Sequence, residues 1–120
     1  MRRILLVDDD ASVRAVLALA LTDEGYGVDT AADGFEALQK MLADPPDAVV
    51  LDAQLPIMNG PTFLEAARRY AQTATTPVIA ISGARAGLDQ CQRFGVTACL
   101  AKPFDIEVLA TTLDRATTEL

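Results

Sequence analysis

The chain has 120 residues, 51% of them apolar, with a formal net charge of −7 and no histidine. That length suits one domain, residues 1–120, with a real core, and no apolar run nears the ~20 residues of a membrane span. The acidic balance argues against direct binding to nucleic acid, which needs basic patches. Without histidine there is no Ser-His-Asp or Cys-His catalysis, no histidine-ligated zinc and no phosphohistidine on this chain.

The first element is an apolar strand, Arg3 to Val7, which runs into Asp8-Asp9-Asp10. The apolar stretch ahead of Asp8 is too short for a signal peptide, which points to the cytoplasm. A helix follows, with Val13, Val16, Leu17, Ala20 and Leu21 spaced for one inward face. Ala15, Ala18, Leu19 and Thr22 then form an outer face that is apolar for a solvated surface and suits docking on a helical partner. Gly25 ends this helix, and Gly27 to Ala31 reads as a short second strand. Asp33 and Glu36 have capping-box spacing and open a helix through Phe35, Leu38 and Leu42, which Pro45-Pro46 terminates.

Ala48-Val49-Val50-Leu51-Asp52 is an uninterrupted apolar run ending in one carboxylate, the pattern of a strand buried on both faces. Pro56 and Asn59-Gly60-Pro61 mark the loop that leaves it, and a third helix is expected from Thr62 to about Tyr70. Val78 to Ser82 is a fourth buried strand, introduced by Pro77. Ala84 to Phe94 is weakly helical, with Gly87 inside it and a thin stripe of Leu88 and Cys91. Val96 to Ala101 is a fifth strand, ending at Lys102-Pro103-Phe104. Asp105 caps a last helix carrying Ile106, Leu109, Ala110 and Leu113. Cys91 and Cys99 match no metal or redox spacing and read as small apolar residues. Strands alternating with helices at this period specify an α/β, doubly wound (βα)5 domain with a five-stranded parallel sheet.

Asp8, Asp52, Ser82 and Lys102 all fall where apolar strands stop, at the sheet edge where open α/β folds bind ligands. Singly, each has an ordinary explanation as a turn, cap or solvated residue. Jointly, that explanation requires four of five strands to end in reactive groups by chance. Three converging carboxylates repel one another unless a cation lies among them. Lys102 is one such cation, and an oxygen-only donor set suits Mg²⁺ as another. In that setting Asp52 is the candidate nucleophile for a phosphoryl group, with Ser82 and Lys102 holding the phosphoryl oxygens.

Ile4-Leu5-Leu6-Val7-Asp8-Asp9, Gly25-Tyr26, Asp33-Gly34-Phe35-Glu36-Ala37-Leu38, Asp52 to Gly60, Pro77 to Ser82 and Lys102-Pro103-Phe104 occur in that order. Together they resemble a response-regulator receiver domain of the CheY type over the whole chain. The resemblance implies a flavodoxin/CheY-like strand order of 2-1-3-4-5. It implies a two-component response regulator in which Asp52 accepts a phosphoryl group from the phosphohistidine of a sensor histidine kinase or histidine phosphotransfer protein. It further implies Mg²⁺ held by Asp8, Asp9, Asp52 and the Gln54 backbone carbonyl, with Ser82 and Lys102 as the phosphate-sensing pair. Such a domain catalyses its own phosphorylation and dephosphorylation and signals to a downstream protein target, without binding nucleic acid or membrane itself. Some positions depart from the pattern: Cys99 stands three residues before the lysine, where the family usually carries Tyr or Phe, and Gly83 follows Ser82 where Ala is commoner. An alternative is a haloacid-dehalogenase-like phosphatase with Asp8 as nucleophile, since Asp8-Asp9-Asp10-Ala11-Ser12 loosely matches that family's D-x-D-x-T. Against it, no acidic pair follows Lys102 in a suitable loop, and the chain has no room for a cap. With no output domain after the last helix, the chain reads either as a stand-alone receiver or as one cut from a longer protein.

Overall fold

A computed structural model describes residues 1–53, 59–83, 89, 93 and 95–118. Within them the chain runs β1 (Arg3–Val7), α1 (Ala11–Asp23), β2 (Gly27–Ala31), α2 (Gly34–Ala43), β3 (Ala48–Asp52), α3 (Gly60–Arg68), β4 (Val78–Ser82), β5 (Ala98–Ala101) and α4 (Ile106–Thr118). The weakly helical stretch expected from Ala84 to Phe94 lies, for the most part, outside the described residues. All strands pair in parallel in one sheet of order β2-β1-β3-β4-β5. The doubly wound reading and its strand order therefore hold. Among the described residues, no helix is long and apolar enough to cross a membrane.

The unbroken apolar runs have a simple cause. Successive strand side chains point to opposite faces, and both faces of this sheet are covered. Leu5, Val7, Val49, Leu51, Val78 and Ala80 pack on one side with Met41 of α2 and Phe63 and Leu64 of α3. Ile4, Leu6, Val50, Ile79 and Ile81 pack on the other with Leu21 of α1 and Leu109 and Leu113 of α4. Alternation of polar and apolar residues has no place in such strands.

Local signals set most boundaries. Asp10 caps α1, its carboxylate accepting from the Ser12 and Val13 N–H groups. The helix closes with Gly25 at φ +98°, where Gly25 donates to the Thr22 carbonyl and Tyr26 to that of Leu21. This is the paired-bond C-cap that glycine favours. Asp33 caps α2 through the Glu36 N–H, while the Glu36 carboxylate lies 3.4 Å from Lys40.

Three expectations are corrected. Helix α3 begins at Gly60, because Asn59 caps it through the Thr62 N–H with Pro61 in its first turn. It stops at Arg68, because Arg68 donates to the carbonyls of Thr73 and Thr76, and Thr73 Oγ1 donates to that of Ala67, pulling the chain into a turn. Strand β5 starts at Ala98, two residues late: Gly95 at φ +76° turns the chain, which enters the ladder only opposite Ile79. Helix α1 is rotated from the expected orientation. Leu17, Ala18 and Leu21 meet the core, whereas Val16 is 67% exposed. Ala18 therefore does not belong to the outer face. A helix made almost wholly of Ala, Leu and Val has no polar side to orient it, so packing against the sheet decides.

Gly60 sits against the backbone of Ala53: an added Cβ would lie 2.7 Å from the Ala53 Cα and 2.9 Å from its carbonyl oxygen. The Gly60 N–H donates to that same carbonyl at 3.1 Å. Gly60→Ala is expected to destabilise the domain by about 1–3 kcal/mol, read as a lower urea midpoint with an unchanged slope, since backbone cannot yield as a side chain does.

Candidate phosphoryl and cation site at the strand mouths

The polar strand ends converge as expected. Asp52 closes β3 and Ser82 closes β4, while Asp8 follows β1 directly and Lys102 follows β5. Register carries them together. Asp52 pairs with Ile81, one residue before Ser82, and Ser82 pairs with Ala101, one residue before Lys102. The ladder continues past the strands, with Ala53 donating to the Ile81 carbonyl, Lys102 to that of Ser82, and Asp8 to that of Ala31. Asp8, Asp52 and Ser82 are buried, Lys102 is half-buried, and Asp9 is exposed.

Oxygens of Asp8, Asp9 and Asp52 lie within 4.8 Å of one another. Lys102 Nζ stands 3.3 Å from Asp52 Oδ2 and 3.6 Å from Asp8 Oδ2. One ammonium thus faces three carboxylates. Asp8 Oδ1 accepts the Asp10 N–H at 2.9 Å. Asp8 Oδ2 is buried and accepts no hydrogen bond from the described residues. A buried carboxylate oxygen in that condition, among oxygen donors only, fits a hard divalent cation.

Burial is the main cause that holds the Asp8 carboxyl above its ordinary pKa. The charges of Asp52 and Asp9 add to it, against the Asp10 N–H and Lys102. Burial acts to lower the Lys102 pKa, but Asp52 and Asp8 outweigh it and the ammonium is held above its ordinary value.

Gln54, expected to offer a backbone carbonyl to the cation, lies outside the described residues. Cys99 is half-buried on β5 opposite Ala80 and packs against the α2–α3 core layer. Arg14 was missed by the sequence reading. Its Nη1 donates to the Asp8 carbonyl at 2.7 Å. The available signal was that Arg14 is the one charged residue from Ala11 to Thr22.

Residues 4–114 match the family model of the response regulator receiver domain. The chain is 40% identical over 115 residues to the response regulator ArlR of Staphylococcus aureus, covering 91% of this chain and 49% of that protein. It thus spans about half the length of the curated relatives it matches. Among solved structures it is similar to the chemotaxis protein CheY4 of Vibrio cholerae, at 36% identity and a TM-score of 0.89 over 97% of this chain and 98% of that one. It is also similar to the receiver domain of the sensor histidine kinase PA1611 from Pseudomonas aeruginosa, solved with magnesium coordinated in the active-site cleft. There the identity is 28% and the TM-score 0.92, over 98% of each chain.

A raised Asp8 pKa means that the folded state holds that proton more tightly than the unfolded chain. The associated stability is fully present below the unfolded value of about 3.9 and is lost as pH rises through the folded one. For Lys102, also raised, it is present at neutral pH and lost only as pH climbs through the folded ammonium value. Metal-free Asp8→Asn is therefore expected to melt above the parent at pH 7. Calorimetry across pH should show that gap closing as pH falls below the carboxylate range.

Proposed function

Because the chain belongs to the response-regulator receiver family, we propose that Asp52 is its phosphoacceptor and that Asp8, Asp9 and Asp52 hold Mg²⁺. Receiver domains of response regulators receive phosphoryl groups from histidine kinases. The observation that carries the reading is the placement of Asp52: a buried strand-end carboxylate, with Lys102 at 3.3 Å and two further carboxylates beside it.

In the proposed reaction a carboxylate oxygen of Asp52 attacks phosphorus, the P–N bond of a phosphohistidine breaks, and the imidazole leaves with the bonding pair. When bound, Mg²⁺ cancels negative charge on the phosphoryl oxygens. Lys102 moves its ammonium from Asp52 to a phosphoryl oxygen, with no change in its own protonation. The Ser82 hydroxyl, one register position along, donates to another such oxygen. With Cys99 in place of a ring, the response passes through the backbone after Ser82 rather than through an aromatic flip.

The haloacid-dehalogenase alternative is not supported. The relatives are receiver domains.

The phosphodonor is read as a helical, histidine-bearing domain that docks beside α1. Val13, Val16, Leu17 and Ala20 line an apolar groove of about 610 Å³ with Lys102, Pro103, Phe104 and Ile106. Val16 and Leu19 are 67% and 66% exposed there and beyond. This replaces the docking face expected around Ala18.

Incubation with acetyl phosphate and Mg²⁺ is expected to add one phosphoryl group by intact mass, with none added in EDTA or in Asp52→Asn. Full labelling of Asp52→Asn overturns the assignment. Val16→Arg is expected to slow transfer from the partner histidine kinase by about tenfold, the loss of a central interface anchor, while acetyl phosphate labelling is unchanged. Equal slowing with both donors refutes the groove as the docking site.

A further inference from the structure

Resting on the reading of Asp8, Asp9 and Asp52 as the cation site, we propose that Arg14 is a positioning residue that sets the Asp8–Asp9 loop for the metal. The two oxygens of Asp8 have different fates. Oδ1 is tied to the Asp10 N–H, whereas Oδ2 is buried and accepts no hydrogen bond from the described residues. Presenting Oδ2 in this way requires a fixed Asp8 backbone. The Asp8 N–H is held by the Ala31 carbonyl of β2 at 3.1 Å. Its carbonyl is held by Arg14 Nη1 at 2.7 Å. That carbonyl belongs to the peptide joining Asp8 to Asp9, so its orientation fixes where the exposed Asp9 side chain departs.

Arg14 is itself anchored in rigid structure. Its N–H donates to the Asp10 carbonyl, and the Asp10 carboxylate caps the same helix. Asp8 to Arg14 is thus one closed network between strand and helix, and the guanidinium enters it from the helical side.

The choice of partner matters chemically. Among the described residues Arg14 forms no ion pair; its side-chain hydrogen bond goes to a carbonyl. A cation paired directly with Asp8 or Asp9 would compete with the metal for the same oxygens. Lys102 already stands 3.6 Å from Asp8 Oδ2, and a guanidinium on the carbonyl adds positive charge near the cluster without taking up a further carboxylate oxygen. Outer partners of this kind orient ligands and set affinity without touching the metal.

The test is calorimetric titration of Mg²⁺ into the parent, Arg14→Ala, Arg14→Lys and Asp9→Asn, at a temperature where thermal unfolding shows all four folded. Arg14→Ala is expected to weaken Mg²⁺ by about tenfold or more, the usual loss for such a partner, and Arg14→Lys to recover part of it through one N–H to the carbonyl. Arg14→Ala within about twofold of the parent overturns the proposal, and so does Arg14→Lys as weak as Arg14→Ala, which marks a merely structural role. Asp9→Asn separates the two readings: if it binds Mg²⁺ as the parent does, the cation site itself is misassigned and the role of Arg14 falls with it.

Discussion

One ammonium among three carboxylates is the constraint on which the structure turns. Lys102 lies within 3.6 Å of both Asp8 and Asp52, and Asp9 completes the acidic group. Left alone, this arrangement is under-neutralised, and its strain falls on the most deeply buried member, the Asp8 carboxyl, which burial and its neighbours hold toward the protonated form. A domain of this size has only a small margin of stability to spend on such a cluster. Such an excess of negative charge suits a divalent cation, as the set of oxygen donors does.

The rest of the fold holds these groups at hydrogen-bond and ion-pair distances. Parallel register aligns the ends of β1, β3, β4 and β5, and two apolar layers fix the sheet from both sides. Asp52 cannot drift, because the residue after it is held twice: the Ala53 N–H by Ile81, and its carbonyl by Gly60 at the start of α3. The absence of a side chain at Gly60 allows that close approach. Stability and chemistry share these contacts, so the backbone of β3 serves as core and as site support.

Two features lie on opposite faces of the sheet near the site. Lys102 is among the residues lining the groove between α1 and α4, and its ammonium lies 3.3 Å from Asp52, so the groove adjoins that carboxylate. On the opposite side of the sheet, Cys99 fills a position beneath the α2–α3 layer with far less volume than an aromatic ring.

The sequence alone determined the alternation of elements, the parallel sheet and the identity of the strand-end groups. Those depend on local chemistry: apolar runs for strands buried on both faces, carboxylate caps at Asp10 and Asp33, and glycine where the chain turns at Gly25. Boundaries shifted where a distant or neighbouring contact outweighed propensity, as when Arg68 pulled the end of α3 into a turn. The orientation of α1 was illegible, because Ala, Leu and Val on every side give a helix no preferred face until the sheet and α4 supply one. The convergence of Asp8, Asp9, Asp52 and Lys102 could be suspected from their strand ends, but register alone brings residues so far apart in the chain within a few ångströms. Arg14 lay furthest from view. Its partner is a backbone carbonyl, which carries no residue-specific signature, so only the tertiary structure reveals that this charge is directed at the site.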